Sequence, residues 1–191
     1  MTDWIPLPGS AKARLLDAAI DHLQRQGYEA LSVQAVARAA GVTTGSLYHH
    51  FGNKLGLFTV VRDEMDKRMV ERIESALDAV AVAGGSAMEE PVGAGPVGAD
   101  DAVVVDRSAL AAALEVAFDA AVRFGVTRVL AEPRPDGGAD VIAAALLRAV
   151  PGRAGATAAI LAAAWRQALR SVADGGDPAD VRAGLRWLLR G

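Results

Sequence analysis

A chain of 191 residues, 52% hydrophobic and 23% charged, can bury an ordinary globular core and is not disordered throughout. It has no cysteine, which excludes disulfides, thiolate metal sites and cysteine nucleophiles. The formal net charge is −3, and up to residue 60 five basic side chains stand against four acidic ones, so total charge does not announce a nucleic-acid protein.

Alanine, the best helix former, is abundant in the second half, and no stretch sustains strand-type alternation. The fold class expected is all-α. The first helix starts at Ser10, a good N-cap, and runs to about Gln26, with Leu16, Ala19, Ile20 and Leu23 along one face. After the Gly27-Tyr28-Glu29 turn, Ser32 caps a short second helix that carries Val33, Val36, Ala37 and Ala40 on one stripe. Gly41 breaks it, Thr43 caps a third helix ending near Phe51, and Asn53 after Gly52 caps a fourth. The fourth repeats Phe58, Val61, Met65, Met69, Ile73, Leu77 and Val80 every three or four residues. It spans roughly 40 Å, enough to link two units.

The text from Gly84 to Asp101, GGSAMEEPVGAGPVGADD, reads as a flexible connection inside a helical body. A helix follows over about Ala102 to Phe124, with Leu110, Leu114, Phe118 and Val122 every four residues, and Gly125 interrupts it. A helical turn to about Leu130 precedes the EPRPDGG loop. Helices are then expected over about Ala139–Val150, closed by Pro151-Gly152, and over about Gly155–Ala173, with Leu161, Trp165, Ala168 and Val172 on one side. Asp177-Pro178 starts the last helix, with Val181, Leu185 and Leu188 expected inward and Arg182, Arg186 and Arg190 outward. The N-terminal text lacks a signal-peptide pattern, and Arg166 interrupts the alanine-rich run from Thr157 before it could span a bilayer. A soluble cytoplasmic protein without membrane contact is expected.

The informative stretch is SVQAVARAAGVTTGSLYHHFGNK, residues 32–54. Two short helices joined by three residues must cross closely at a steep angle. Ala37 supplies a small residue at the crossing, and Gly41 admits a positive φ in the turn. Val36, Val42, Leu47 and Phe51 fill the interior. Together these positions specify a helix-turn-helix.

From about Arg14 to Phe58 the chain resembles the TetR family of bacterial transcriptional regulators. The match is carried by Gly27-Tyr28, Ser32, the run Ala37-Arg38-Ala39-Ala40-Gly41-Val42, then Leu47-Tyr48-His49-His50-Phe51 and Lys54. The resemblance implies an N-terminal three-helix DNA-binding domain, residues 1–53, followed by a larger helical ligand-binding and dimerisation domain, residues 54–191. It implies that the third helix enters the major groove, with Thr44, Gly45 and Ser46 near base edges. Tyr48 and His49 match the family's phosphate contacts, and Ser32 and Lys54 would grip phosphates at helix starts. Gln34 and Thr43 are further candidates. Ser32 and Thr43 also read as plain caps, and Tyr48 also suits covering the small core. His50, turned about 100° from His49, is assigned mainly to packing, and the adjacent pair does not suit a metal.

One short recognition helix reads too few bases to locate an operator, so a homodimer on a roughly palindromic double-stranded site is expected. The resemblance places dimerisation in the last two helices. Alanines 158, 159, 162, 163, 164 and 168 would permit close approach there, and Ile160, Leu161, Leu169, Leu185 and Leu188 would supply bulk. The same residues could instead serve the monomer's own core. The middle helices would enclose a small molecule, apolar or aromatic, with Phe118, Val122, Arg123 and Trp165 as candidate contacts, though each also fits core, interface or surface. The family's mechanism implies a repressor released from DNA by that ligand. No nucleophile–base pair can be placed, since histidine does not recur after His50. The chain is therefore not expected to be an enzyme or to carry a metal or cofactor. A helical interaction module that keeps the motif without binding DNA is the remaining alternative.

Overall fold

The computed structural model of the protein describes residues 8–85, 107–150 and 155–190. All of the regular structure among them is helical: α1 (Ala11–Gln26), α2 (Val33–Ala39), α3 (Thr44–Phe51), α4 (Lys54–Gly85), α5 (Arg107–Arg123), α6 (Thr127–Ala131), α7 (Val141–Leu147), α8 (Gly155–Ala173) and α9 (Pro178–Arg190). The Gly84–Asp101 connection beyond Gly85, the helix start expected at Ala102 and the Pro151-Gly152 stop lie outside the described residues. No helix among the described residues is long and apolar enough to cross a membrane.

Side-chain caps fix the starts. Ser10 Oγ accepts the Ala13 amide at 3.2 Å, Asn53 Oδ1 accepts the Gly56 amide at 2.8 Å, and Asp177 Oδ1 accepts the Ala179 amide at 2.8 Å. Each satisfies a donor that the helix itself leaves orphaned. Asp140 Oδ1 accepts the amides of Ile142 and Ala143 at 3.0 and 3.1 Å, which starts α7 two residues later than the pattern alone suggests.

Helices α1–α3 close on Leu15, Ala19, Leu23, Val36, Leu47 and Phe51, all buried. Leu57, Phe58 and Val61 carry the apolar cluster without a break into the larger body, where α4 continues it through Met65, Met69 and Ile73. At 32 residues α4 is about 48 Å long. In the body, α4 packs on α5 and α7, α8 packs on α6 and α7, and α9 packs on α5 and α8.

The last helix departs from expectation. Its inward positions are Leu185 and Leu189, with Val181 half-buried, while Leu188 is 55% exposed. Arg182 and Arg186 do not simply point outward. Arg186 makes a bidentate pair with Glu115 on α5, at 2.6 to 3.1 Å, and Arg182 reaches Asp119 at 2.8 Å. Their long stems lie over α5 while the charged heads find carboxylates at its edge.

The shortest of the described helices is tied to three others by side-chain bonds. The α6 N-terminus lacks a cap of its own; instead Gln24 Oε1 on α1 accepts the amides of Arg128 and Val129 at 3.1 and 3.3 Å. At its other end, Arg62 of α4 donates to the carbonyls of Val129 and Glu132 at 2.9 and 2.7 Å. From α8, Arg166 donates to the Leu130 carbonyl at 3.2 Å and Arg170 to that of Ala131 at 2.9 Å. Arg62 is 1% exposed and pairs with Asp66 at 2.9 Å. The following loop is held by Arg134, which gathers Asp63, Asp66 and Asp136. The Arg134 guanidinium and the Gly138 amide push the Asp136 carboxyl down to about 2.

Removing Asp66 leaves the buried Arg62 guanidinium without a carboxylate, whereas Asp66 keeps Arg134 when Arg62 is removed. Asp66→Leu should therefore cost about 3–5 kcal/mol in urea unfolding, and adding Arg62→Met should recover only part of that loss, since the Val129 and Glu132 carbonyls are then left unpaired.

Candidate nucleic-acid interface

The motif is built by local bonds at each joint. Ser32 Oγ accepts the Ala35 amide at 3.2 Å, starting α2. At its end Gly41 takes φ 65°, and the Val42 amide returns to the Ala37 carbonyl at 3.0 Å, a closure that needs the left-handed conformation. Arg14 of α1 braces the turn by donating from Nε to the Ala40 carbonyl at 2.9 Å. Thr43 Oγ1 accepts the Ser46 amide at 3.2 Å and starts α3. Leu47 and Phe51, four apart on one face, are buried and pin α3 against the other two helices. His22, buried on α1, contacts the Ala30 carbonyl through Nε2 at 3.0 Å and so holds the segment that leads into Ser32.

With one face pinned, α3 must present the other. Thr43 and Gly45 are exposed, Thr44 and Ser46 half-buried, and all four sit at the leading end. One turn later Tyr48 is 50% exposed and His49 is exposed. Gln34 is exposed in the first turn of α2, with its Oε1 3.3 Å from Ser32 Oγ. These candidates therefore gather at the start of α2 and along the outer face of α3. Ser32 and Thr43 are confirmed as caps, since each hydroxyl already accepts an amide.

Two residues depart from expectation. Lys54 folds back on the α1–α2 turn: Nζ donates to the Glu29 carbonyl at 2.9 Å and lies 4.6 Å from the Tyr28 ring centroid. This ties the start of α4 to the α1–α2 turn and leaves the ammonium two donors for an anion. His50, assigned to packing, is exposed; it meets the rings of His49 and Phe51 edge-on at 5.2 and 6.1 Å. A helix of eight residues has room for one buried stripe, and Leu47 and Phe51 occupy it. Arg38, exposed in the last turn of α2, is not among the DNA contacts expected from the sequence, although it is the one lysine or arginine between Ser32 and Lys54.

The candidate ligand contacts do not form one group. Phe118, Val122 and Arg123 border an open groove of about 270 Å³ between α5 and α9, which Trp165 does not line. Trp165 is fully buried on α8, and its Nε1 has no hydrogen-bond partner. The candidate dimer residues divide too. Ala158, Ala162, Ala168, Leu169 and Leu185 belong to the chain's own core, whereas Ala159, Ile160, Ala163 and Leu188 are exposed, as is Trp187.

Residues 15–61 match the model of the bacterial regulatory proteins, tetR family. The HTH-type transcriptional repressor KstR of Mycolicibacterium smegmatis is 37% identical over 75 residues, covering 39% of this chain and 35% of that protein. The HTH-type transcriptional regulatory protein RaaS of Mycobacterium tuberculosis is 39% identical over 67 residues, covering 35% of this chain and 29% of that protein. The chain thus spans about a third of the length of the curated relatives it matches. Solved structures extend the likeness of fold along the chain. A TetR-like transcriptional regulator from Rhodococcus sp. RHA1 superposes with a TM-score of 0.62 at 21% identity, covering 97% of this chain and 96% of that one. A TetR-family transcriptional regulator from Pectobacterium atrosepticum gives 0.60 at 20%, covering 97% and 94%.

Because the Thr43 hydroxyl works inside the fold, its loss should register without any nucleic acid. Thr43→Ala should lower unfolding stability by about 1 kcal/mol, and Thr43→Ser, which keeps the acceptor, by much less.

Proposed function

We propose that the chain is a member of the tetR family of bacterial regulatory proteins, whose model its residues 15–61 match, and that it is a transcriptional repressor which binds a palindromic operator as a homodimer and is released by a small molecule. The carrying observation is α3 itself: a capped helix pinned by Leu47 and Phe51, with Thr43 to Ser46 at its leading end and Tyr48 and His49 on its outer face. We assign residues 1–53 as the reading head and 54–191 as the ligand-binding and dimerising body. In this reading Thr44, Gly45 and Ser46 approach base edges. Tyr48, His49, Gln34 and the ends of α2 and α4 at Ser32 and Lys54 hold phosphates, with Thr43 setting the approach of α3.

The partner surface is assigned to the outer sides of α8 and α9. Trp187 is 77% exposed and Ile160 68%, an unusual amount of bulky apolar side chain to leave in water, and the exposed small residues Ala159 and Ala163 of α8 and Gly184 of α9 would let a second pair of helices approach closely. Two copies joined there by a twofold axis form an isologous four-helix contact.

Ligand action is assigned to α6. Through Gln24 it holds α1, and Glu132 just beyond it accepts the Tyr28 amide at 2.9 Å. A ligand within the body that favours a different placement of α6 would turn the heads and change their spacing. Phe118, Val122 and Arg123, which share the α5–α9 groove, remain candidate contacts, with Trp165 apart from them in the core of α8, and an apolar or aromatic ligand is favoured.

Tyr48→Phe, which removes one hydroxyl, should weaken binding about tenfold on DNA selected from a random library and by a similar factor on unrelated DNA. Thr44→Ala should act mainly on the selected sequence. Absence of any sequence preference in the wild-type protein would defeat the repressor reading. Ile160→Glu with Trp187→Glu should shift the protein from dimer to monomer in sedimentation and remove high-affinity operator binding while leaving the helical content intact.

A further inference from the structure

Between the α1–α2 turn and the body lies a cleft of about 450 Å³ that contains none of the candidate ligand contacts assigned above. We propose that this junction cleft is a second small-molecule site, specific for organic monocarboxylic acids with an apolar body.

The cleft has a wall from each unit. The head contributes Tyr28 and the body contributes Ala131, Pro133, Pro135 and Ala173, so most of its surface is apolar and its size suits a small organic molecule. The loop that carries both prolines is fixed by Arg134 through Asp63, Asp66 and Asp136. The Tyr28 ring is fixed by Lys54 on its face and by Phe58, edge-on at 4.8 Å. The site is therefore built from held groups.

Its polar members point to the ligand's charge. Arg170 lines the cleft and spends one donor on the Ala131 carbonyl at 2.9 Å. Among the described residues no carboxylate lies within ion-pair distance of it. That leaves a planar guanidinium with free donors, anchored at one corner, the geometry that receives a carboxylate in two parallel bonds. The second arginine, Arg128, is bound to the Gln24 and Ala173 carbonyls and meets Asp174 at 3.4 Å. The acids on the rim set the limit. Glu132 is engaged with the Tyr28 amide, and Glu29 and Asp174 stand nearby, so the lining carries three carboxylates against two guanidiniums. That surplus of negative charge repels a phosphate or polyanion more than a single carboxylate, which can bond Arg170 and place an apolar remainder over the prolines. An acid seated in this way touches Tyr28 of the head and Arg170 of the body together, and so fixes the angle between them. Only this regulatory consequence rests on the repressor reading; the binding itself does not.

The test uses the full chain without DNA, so its outcome is separate from that of the repressor reading. Phenylacetate, naphthalene-1-acetate and octanoate are each titrated by calorimetry beside the corresponding neutral amide, with inorganic phosphate as a further arm. At least one acid should bind more than tenfold tighter than its amide, and phosphate should not compete with it. Arg170→Gln should remove that preference. Ala173→Leu, which keeps the arginine but fills the cleft, should abolish binding, and Lys67→Gln on the far part of α4 should change nothing. Acids that bind no tighter than their amides, an unchanged affinity in Arg170→Gln, or binding that survives Ala173→Leu would each overturn the proposal. The acid–amide comparison is made on the wild-type protein, so it decides even if a variant folds poorly.

Discussion

A helix of five residues has no stability of its own, and α6 exists because other helices complete it. Its first free amides are taken by Gln24 of α1, and the carbonyls of its last turn and of Glu132 by Arg62, Arg166 and Arg170. The orphan groups that every helix leaves at its ends are here the means of attachment: α1, α4 and α8 all dock on one short element. Burying the Arg62 guanidinium is costly, and burial pulls its affinity for a proton down while Asp66 opposes this. The cost is met because the cation bonds a carboxylate and two carbonyls together. Without that arginine the turn would present unpaired carbonyls to an apolar interior.

What could be read from the sequence was local. Ser10, Ser32, Thr43, Asn53 and Asp177 each precede an apolar stripe, and each caps the helix it announces. Gly41 stands where the turn needs φ above zero. The helix-turn-helix is legible for the same reason: all of its constraints act within about twenty residues. The capping network of α6 is not legible. Arg62 and Arg68 each stand four residues from an acid on the same helix, and nothing in the neighbouring text separates the buried pair from the solvated one. The carbonyls that make Arg62 an interior residue lie 67 and 70 positions away.

The errors have a geometric origin. On α9, Leu188 and Leu189 are adjacent and point about 100° apart, so periodicity from Leu185 admits either at three or four residues' distance. Packing on α5 and α8 selects Leu189 and turns Leu188 outward. That choice leaves Leu188 beside Trp187 on the surface assigned to the partner. Lys54 shows the same limit in the reading head. Its position in the motif is informative, but the Tyr28 ring and the Glu29 carbonyl that hold it come from the preceding turn.

The two kinds of contact between head and body differ in what it takes to change them. Leu57, Phe58 and Val61 continue one apolar core across the junction, and separating it would expose several large side chains at about 1.5–3 kcal/mol each. The clasp at α6 is different. It consists of Gln24 on two amides, the Arg128 Nε on the Gln24 carbonyl, and Glu132 on the Tyr28 amide, with net worths of about 0.5–1.5 kcal/mol for the neutral bonds and about 1.5–3 kcal/mol for the charged ones. Allosteric couplings are themselves about 1–3 kcal/mol. In the function proposed above, a ligand would exchange one or two clasp bonds while the apolar joint stays closed, and the head would turn about α4 without detaching. Gly27 makes the clasp possible. At φ 77° it lets Glu132 come so close that a Cβ there would lie 2.1 Å from the carboxylate oxygen. The sensitivity of the proposed switch thus rests on one missing side chain and on hydrogen bonds of the same size as the signal they must carry.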